Sequence, residues 1–179
     1  VENGEIVYIE DNKLHSLKPF GNHTPRPCVF EYIYFSRPDS ILRGKTAYEY
    51  RKNLGKELAK EDHVDAELVV PVPDSGNAAA IWYSQQKNIN FDLGLIRNHY
   101  VGRTFIEPVQ KIRSLGVKLK LNANKSTIKN KKIVLIDDSL VRGTTCHKIV
   151  KMLYDSGAKE VHVRIASPEI KYPDFYGID

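Results

Sequence analysis

The chain reads as an α/β protein built on a mostly parallel, doubly wound sheet, and three features predict it. Short apolar runs rich in Val, Ile and Leu recur along it: LVVPVP at 68–73, IVLI at 133–136 and VHVRIA at 161–166. Between such runs lie segments with apolar residues at helical spacing, as at Cys146, Ile149, Val150 and Leu153. The first two of these runs read as buried strands. Strands of that kind, alternating with amphipathic helices, pack as a parallel sheet covered on both sides.

The elements follow in order. GEIVYIE and KLHSL alternate with period two and lead into a turn-rich stretch from Pro19 to Pro27, which predicts a small antiparallel fragment and a linker. CVFEYIYF, from Cys28, is strand-like by its aromatic and β-branched content. Ala47, Tyr50, Leu54 and Leu58 form an apolar stripe at helical spacing. LVVPVP is a buried strand, NAAAIWYSQQ a short helix beginning after Gly76, and LGLI (93–96) another strand. The stretch from His99 to Ala123 fits neither period, and a long irregular insert in a compact domain is usually functional or disordered. IVLI and VHVRIA close the set, separated by a helix that ends near Gly157.

Length and composition narrow the class. A chain of 179 residues with 41% hydrophobic and 27% charged content is one soluble domain with a substantial core. No apolar run approaches the roughly twenty residues needed to span a bilayer, and VENGEIVYIEDNK lacks the order of a signal peptide. Two cysteines, Cys28 and Cys146, are too few for a disulfide framework, so a reducing cytoplasm is expected. The first residue is Val, which points to a processed, trimmed or partial product. Ten of the 27 Lys and Arg residues fall between Arg97 and Lys132, against one acid, Glu107. Such a block can bind nucleic acid non-specifically, yet it carries no series of stacking aromatics. A small polyanion explains it more economically, and nucleic acid is disfavoured.

Chemistry concentrates where strands run into helices. Ile133 to Thr145 reads IVLIDDSLVRGTT: a buried strand, two adjacent carboxylates, then Arg142, Gly143, Thr144 and Thr145 at a helix start. Unpaired N–H groups at a helix start suit a phosphate, and the carboxylates suit sugar hydroxyls or a metal. In an open α/β sheet, ligands bind at the carboxyl ends of strands. A second loop of the same kind, Val72-Pro73-Asp74-Ser75-Gly76, also joins a strand to a helix. Alone, either loop is an ordinary turn and cap signal.

Together they carry a resemblance. IVLIDDSLVRGTT resembles the phosphoribosyl-pyrophosphate signature of type I phosphoribosyltransferases, and its DDS-x-VRGTT wording resembles the amidophosphoribosyltransferase family. PDSG at 73–76 resembles that family's pyrophosphate loop. GRTFI and KLN within NHYVGRTFIEPVQKIRSLGVKLKLN resemble its flexible catalytic loop. FEYIYFSRPDS (30–40) and the closing SPEIKYPDFYGID extend the match over nearly all of 28–179.

The resemblance implies a type I phosphoribosyltransferase fold with a mobile catalytic loop. It implies a phosphoribosyltransferase domain at 25–179, with its C-terminal part missing, and residues 1–24 as the remnant of a preceding glutaminase domain and linker. The implied activity is a pentosyl transfer that forms 5-phosphoribosylamine from phosphoribosyl pyrophosphate and ammonia in purine nucleotide biosynthesis. A homo-oligomer is implied, with purine nucleotides as candidate inhibitors. Asp74, Ser75 and Gly76 would meet the pyrophosphate. Asp137, Asp138 and Ser139 would hold the ribose, and Arg142, Gly143, Thr144 and Thr145 the 5′-phosphate. Ser75, Asp137 and Asp138 would surround Mg²⁺. Arg103 and Lys120 would grip the departing pyrophosphate, with Tyr100 packing against the sugar. Two other readings share parts of this pattern: a non-catalytic phosphoribosyl-pyrophosphate or nucleotide-binding regulatory fragment, and a base-salvage phosphoribosyltransferase. The second has the two loops but neither FEYIYFSRPDS nor GRTFI.

Some positions depart from the family pattern. The family's glutaminase uses an N-terminal cysteine, whereas this chain starts Val1-Glu2-Asn3, so free ammonia is the expected nitrogen source. Trp82 is bulky where the family has small residues, and His99 stands where it usually has Arg. Some members carry an iron–sulfur cluster on four cysteines. Cys28 falls at one such place, but Asp174 replaces another, and two cysteines cannot make the set, so no cluster is expected. The six histidines show no zinc-ligand spacing.

Overall fold

A computed structural model describes residues 1–21, 24, 26–99 and 120–172. Its centre is a four-stranded, wholly parallel sheet. β5 (Leu68–Pro71) and β9 (Lys132–Asp137) lie side by side at its middle, with β6 (Asn90–Phe91) outside β5 and β10 (Glu160–Ile165) outside β9. Both central strands are buried on both faces, which explains their unbroken apolar runs. On one face, Leu68, Val70, Ile133 and Leu135 pack with Ile149 and Leu153 of α4 (Thr144–Asp155). On the other, Val69, Val134 and Ile136 pack with Ala79, Ala80 and Tyr83 of α2 (Asn77–Lys87) and Ala59 of α1 (Ala47–Glu61). Each buried aliphatic side chain contributes roughly 1.5–3 kcal/mol, so the middle of the sheet is its most firmly held part. β5 continues through α2 to β6 on one side, and β9 through α4 to β10 on the other. The expected doubly wound arrangement is present, and its order reverses between β5 and β9.

α1 starts with a reciprocal cap. The Glu49 N–H donates to Thr46 Oγ1 at 3.2 Å, and the Thr46 N–H donates to the Glu49 carboxylate at 3.0 Å. The face it buries is Ala47, Arg51, Gly55 and Ala59, not the stripe of Tyr50, Leu54 and Leu58. Close approach to α2 is the reason. A Cβ on Gly55 would lie 2.1 Å from the Ala79 carbonyl oxygen, so only small residues fit there, and the larger apolar ones flank the contact half-buried. The two helices run in the same direction. Gly55 meets the first turn of α2, while Asp62, just past α1, meets Tyr83 further along.

Two expected strands differ. Residues 28–35 do not form one; Glu31–Phe35 is a single turn of π-helix, with Phe30 and Ile33 buried three residues apart. β-like composition loses here to tertiary contacts. Arg51 takes the Tyr32 and Ser36 carbonyls, and the Tyr32 ring packs edge-on against Tyr50 at 4.7 Å. LGLI does contain a strand, β7 (Leu95–Arg97), but it lies outside the central sheet. It pairs antiparallel with β8 (Leu121–Ala123), so the closing end of the 99–123 segment is strand and not irregular.

Of the smaller elements, the hairpin near the start was expected from the sequence and the others were not. β1 (Ile6–Glu10) and β2 (Lys13–Leu17) form an antiparallel hairpin. β3 (Ile41–Leu42) and β4 (Lys45–Thr46) make a second, short one before α1, and α3 (Lys125–Ile128) is one turn leading into β9.

Candidate functional site

The sheet brings the two candidate loops together. Leu68 to Pro71 pair in register with Ile133 to Ile136, so the carboxyl ends of β5 and β9 finish side by side. The Val72 N–H donates to the Ile136 carbonyl at 2.8 Å and continues the ladder. The loop after β5 (72–76) and the loop after β9 (138–143) therefore leave the sheet at the point where strand order reverses. That crevice is where open α/β sheets bind ligands.

The first loop turns back on itself. The Gly76 N–H donates to the Val72 carbonyl at 2.9 Å, and Gly76 is the N-cap of α2 with no side-chain cap. Its missing side chain is required: a Cβ there would sit 2.4 Å from the Ile136 carbonyl oxygen of β9. Ser75 is half-buried at the turn, and the exposed Asp74 carboxylate is paired with Arg97 of β7. Sequence reasoning missed that arginine, which stands just ahead of GRTFI.

The second loop holds the acidic pair. Asp137 is the last residue of β9, and its carboxylate accepts the Asp138 N–H at 2.9 Å. Asp138 is buried and accepts the Ser139 hydroxyl at 2.8 Å. The backbone just past β10 holds both residues, since Ala166 and Ser167 N–H donate to the Asp137 and Asp138 carbonyls, each at 2.9 Å. Burial raises the Asp137 carboxyl far above the ordinary carboxylate range, to about 8, and the adjacent Asp138 adds to the rise. Two carboxylates forced together away from water favour a shared proton or a cation.

The loop then reaches Gly143, with φ of 69°, which is the N-cap of α4 in place of either threonine. Thr144 and Thr145 open the helix, exposed, and no side chain caps its first N–H groups. Arg142 beside them is exposed. Two glycine-capped helix starts thus flank one acidic pair, offering two anion-binding ends with hydroxyl-binding or metal-binding groups between them.

Mg²⁺ fits this donor set in one manner only. Among the described residues there is no group of three or more His, Cys, Asp or Glu that could hold a metal by itself. A cation that keeps waters and shares ligand oxygens needs just one or two carboxylates, which Asp137 and Asp138 would supply, with the Ser75 hydroxyl as a further candidate.

The remaining sequence candidates divide. Lys120 is placed at the foot of β8, where its carbonyl accepts the Asn98 N–H at 2.7 Å and closes the base of the 99–123 segment. Tyr100 and Arg103 lie outside the described residues, as does Asp174. Part of the basic block is already neutralised. Lys131 pairs with Glu67, and Lys132 with Asp65 and Glu160, at 3.3–3.8 Å. No helix among the described residues is long and apolar enough to cross a membrane.

No protein-family model matches the chain. Individual proteins do. The amidophosphoribosyltransferase of Rhizobium etli is 55% identical over all of this chain and 37% of its own length. That of Synechocystis sp. is 52% identical over all of this chain and 36% of its own. A solved glutamine phosphoribosylpyrophosphate amidotransferase from B. subtilis, complexed with ADP and GMP, superposes with a TM-score of 0.79 at 50% identity, covering 98% of this chain and 38% of that one. The chain spans little more than a third of the length of the curated relatives it matches. Its parallel α/β architecture is the phosphoribosyltransferase fold of those amidotransferase structures.

Proposed function

We propose that this chain, which matches amidophosphoribosyltransferases from end to end, forms 5-phosphoribosylamine from phosphoribosyl pyrophosphate and ammonia. The observation that carries the reading is the meeting of two glycine-capped loops around Asp137 and Asp138 at the reversal of strand order. Phosphoribosyl pyrophosphate has the matching layout: a phosphate at one end, a pyrophosphate at the other and a diol between.

In this reading the N–H groups at Thr144 and Thr145 hold the 5′-phosphate. Asp137 and Asp138 hold the ribose hydroxyls, and the 72–76 loop holds the pyrophosphate. The bond from the anomeric carbon to the pyrophosphate oxygen breaks, and its electron pair leaves with pyrophosphate. Ammonia's lone pair forms the new carbon–nitrogen bond, and the product amine gives a proton to solvent, so no dedicated general base is required. Bound Mg²⁺ would neutralise charge between pyrophosphate and the carboxylates, with Asp137, Asp138 and Ser75 nearest to it. Lys120, and Arg103 by its place in GRTFI, would stabilise charge gathering on the leaving group.

The compartment proposed is the cytoplasm, consistent with two free cysteines. Purine nucleotides are proposed inhibitors, and a glutaminase domain the natural source of ammonia. Pyrophosphate release, followed with Mg²⁺ and phosphoribosyl pyrophosphate, is the test. Ammonium chloride is expected to support release. Silence with ammonia despite tight ligand binding would leave a binding domain and overturn the catalytic one.

A further inference from the structure

The acidic pair poses an electrostatic problem that the candidate residues do not answer. Phosphoribosyl pyrophosphate remains a net anion even with one Mg²⁺, and it must settle against the negatively charged Asp137–Asp138 pair with little water to screen it. A built-in cation at this end of the sheet would offset this repulsion, and α1 carries one.

Arg51 is buried, 7% exposed, a rare state for a guanidinium. Its Nε donates to the Tyr32 carbonyl at 3.0 Å and its Nη2 to the Ser36 carbonyl at 2.7 Å. It forms no ion pair at contact distance among the described residues. The helix geometry fixes where it sits. Arg51 shares one face of α1 with Gly55 and Ala59, which pack on α2 and the sheet. Gly55 touches Ala79 in the first turn of α2, and the helices run parallel. One turn earlier along α1, about 6 Å, Arg51 is level with the start of α2 and so with the loop end of the sheet. Burial lowers the guanidinium's pKa, and the one charged group opposing that is Asp138.

We infer that Arg51 is a positioning residue for this site: a buried counter-charge that lets Asp138 accept an anionic ligand, held in place by the turn at 31–36. Its two carbonyl bonds give that turn a purpose, since they fix the guanidinium without neutralising it. The inference rests on the reading in the preceding subsection.

The test is calorimetric titration of the full chain with phosphoribosyl pyrophosphate in saturating Mg²⁺. It compares wild type, R51Q, R51K, D138N and the double variant R51Q/D138N, with circular dichroism to confirm folding. R51Q keeps a donor for the carbonyls and loses the charge, and is expected to bind about tenfold more weakly, as removing one partly buried charge does. R51K keeps the charge without the fork and should stay within about threefold of wild type. In the D138N background the effect of R51Q should shrink below about threefold, the non-additivity of residues acting through one another. A folded R51Q that binds like wild type overturns the inference, as does an equal loss in both backgrounds. Should R51Q unfold, R51K decides: a tenfold loss in folded R51K would mark a merely structural fork. A wild-type chain that binds no ligand defeats the parent reading instead.

Discussion

A Cβ placed on Gly76 would lie 2.4 Å from the carbonyl oxygen of Ile136, so the loop after β5 rests directly on the backbone at the carboxyl end of β9. This contact sets the spacing between the 72–76 loop, the proposed pyrophosphate end, and the acidic pair. Gly76→Ala must push the two apart or rotate the loop. Overpacking of this kind costs about 1–3 kcal/mol. Chemical denaturation should show that loss, and Mg–phosphoribosyl pyrophosphate affinity should fall more than about tenfold, a loss of 1.4 kcal/mol or more. Unchanged affinity in the variant would mean that the loop spacing does not define the ligand site.

Asp137 should trade stability for binding. Its folded-state pKa is raised to about 8, chiefly by burial and then by Asp138. The sign follows from linkage. Below about pH 4 the carboxyl is protonated in both folded and unfolded chains and costs nothing. Above that, the unfolded chain ionises while the folded one holds its proton, and the cost grows until the pH passes the folded value. Asp137→Asn removes the cost, so it should raise the melting temperature by roughly 2–4 °C near pH 8, with a smaller gain at pH 5. The same variant should weaken Mg–phosphoribosyl pyrophosphate by about 1.5–3 kcal/mol, the contribution of a charge-assisted hydrogen bond. Thermal scans at the two pH values, with calorimetry, check both halves. A stability gain that does not increase with pH would contradict the burial argument.

Legibility in the sequence follows the range of the interactions involved. β5, β9, α2 and α4 are written in local periodicity, and both loops are written in residue types that cap helices or admit close backbone, so they could be located in advance. The turn at 31–36 could not, because Arg51, fifteen residues or more away, decides its shape. The inner face of α1 was misplaced by one position because packing against Ala79 rewards the small Gly55 over the larger Leu54. Arg97 carried no signal either; only the fold sets β7 beside Asp74. Apolar pattern revealed the scaffold and the loops, while the buried charges around them are products of tertiary structure.

One such charge ties the scaffold's edges together and predicts its acid response. Asp62 accepts the Arg164 Nε at 2.7 Å and Nη2 at 2.8 Å, and the Tyr83 hydroxyl at 2.6 Å. Burial alone would raise this carboxyl, but Arg164, Tyr83 and the Val64 N–H outweigh it and hold it at about 2. A depressed folded pKa gives stability that is present above the unfolded value near 4 and is lost as pH falls toward 2. The contribution is roughly 2 kcal/mol. Urea unfolding of wild type and Asp62→Asn should show a constant gap from pH 7 to about 5 that narrows below about 4. A gap indifferent to pH would mean that the ion pair is not what Asp62 contributes.

The glycine opening α4 makes a different demand from the one opening α2. Around Gly143 there is open space within 4 Å, so no clash forbids a side chain; its φ of 69° does the discriminating. L-residues pay roughly 1–2 kcal/mol in that left-handed region, and Asn pays least. Gly143→Ala should therefore destabilise the chain by about 1 kcal/mol, and Gly143→Asn by less. Relaxing that backbone would turn the first N–H groups of α4 away from a bound phosphate. Ribose 5-phosphate, which lacks the pyrophosphate, isolates this end of the crevice. Its affinity, read by calorimetry, should drop severalfold in Gly143→Ala and recover in part in Gly143→Asn. An Ala variant that binds ribose 5-phosphate as wild type does would remove the start of α4 from the phosphate site.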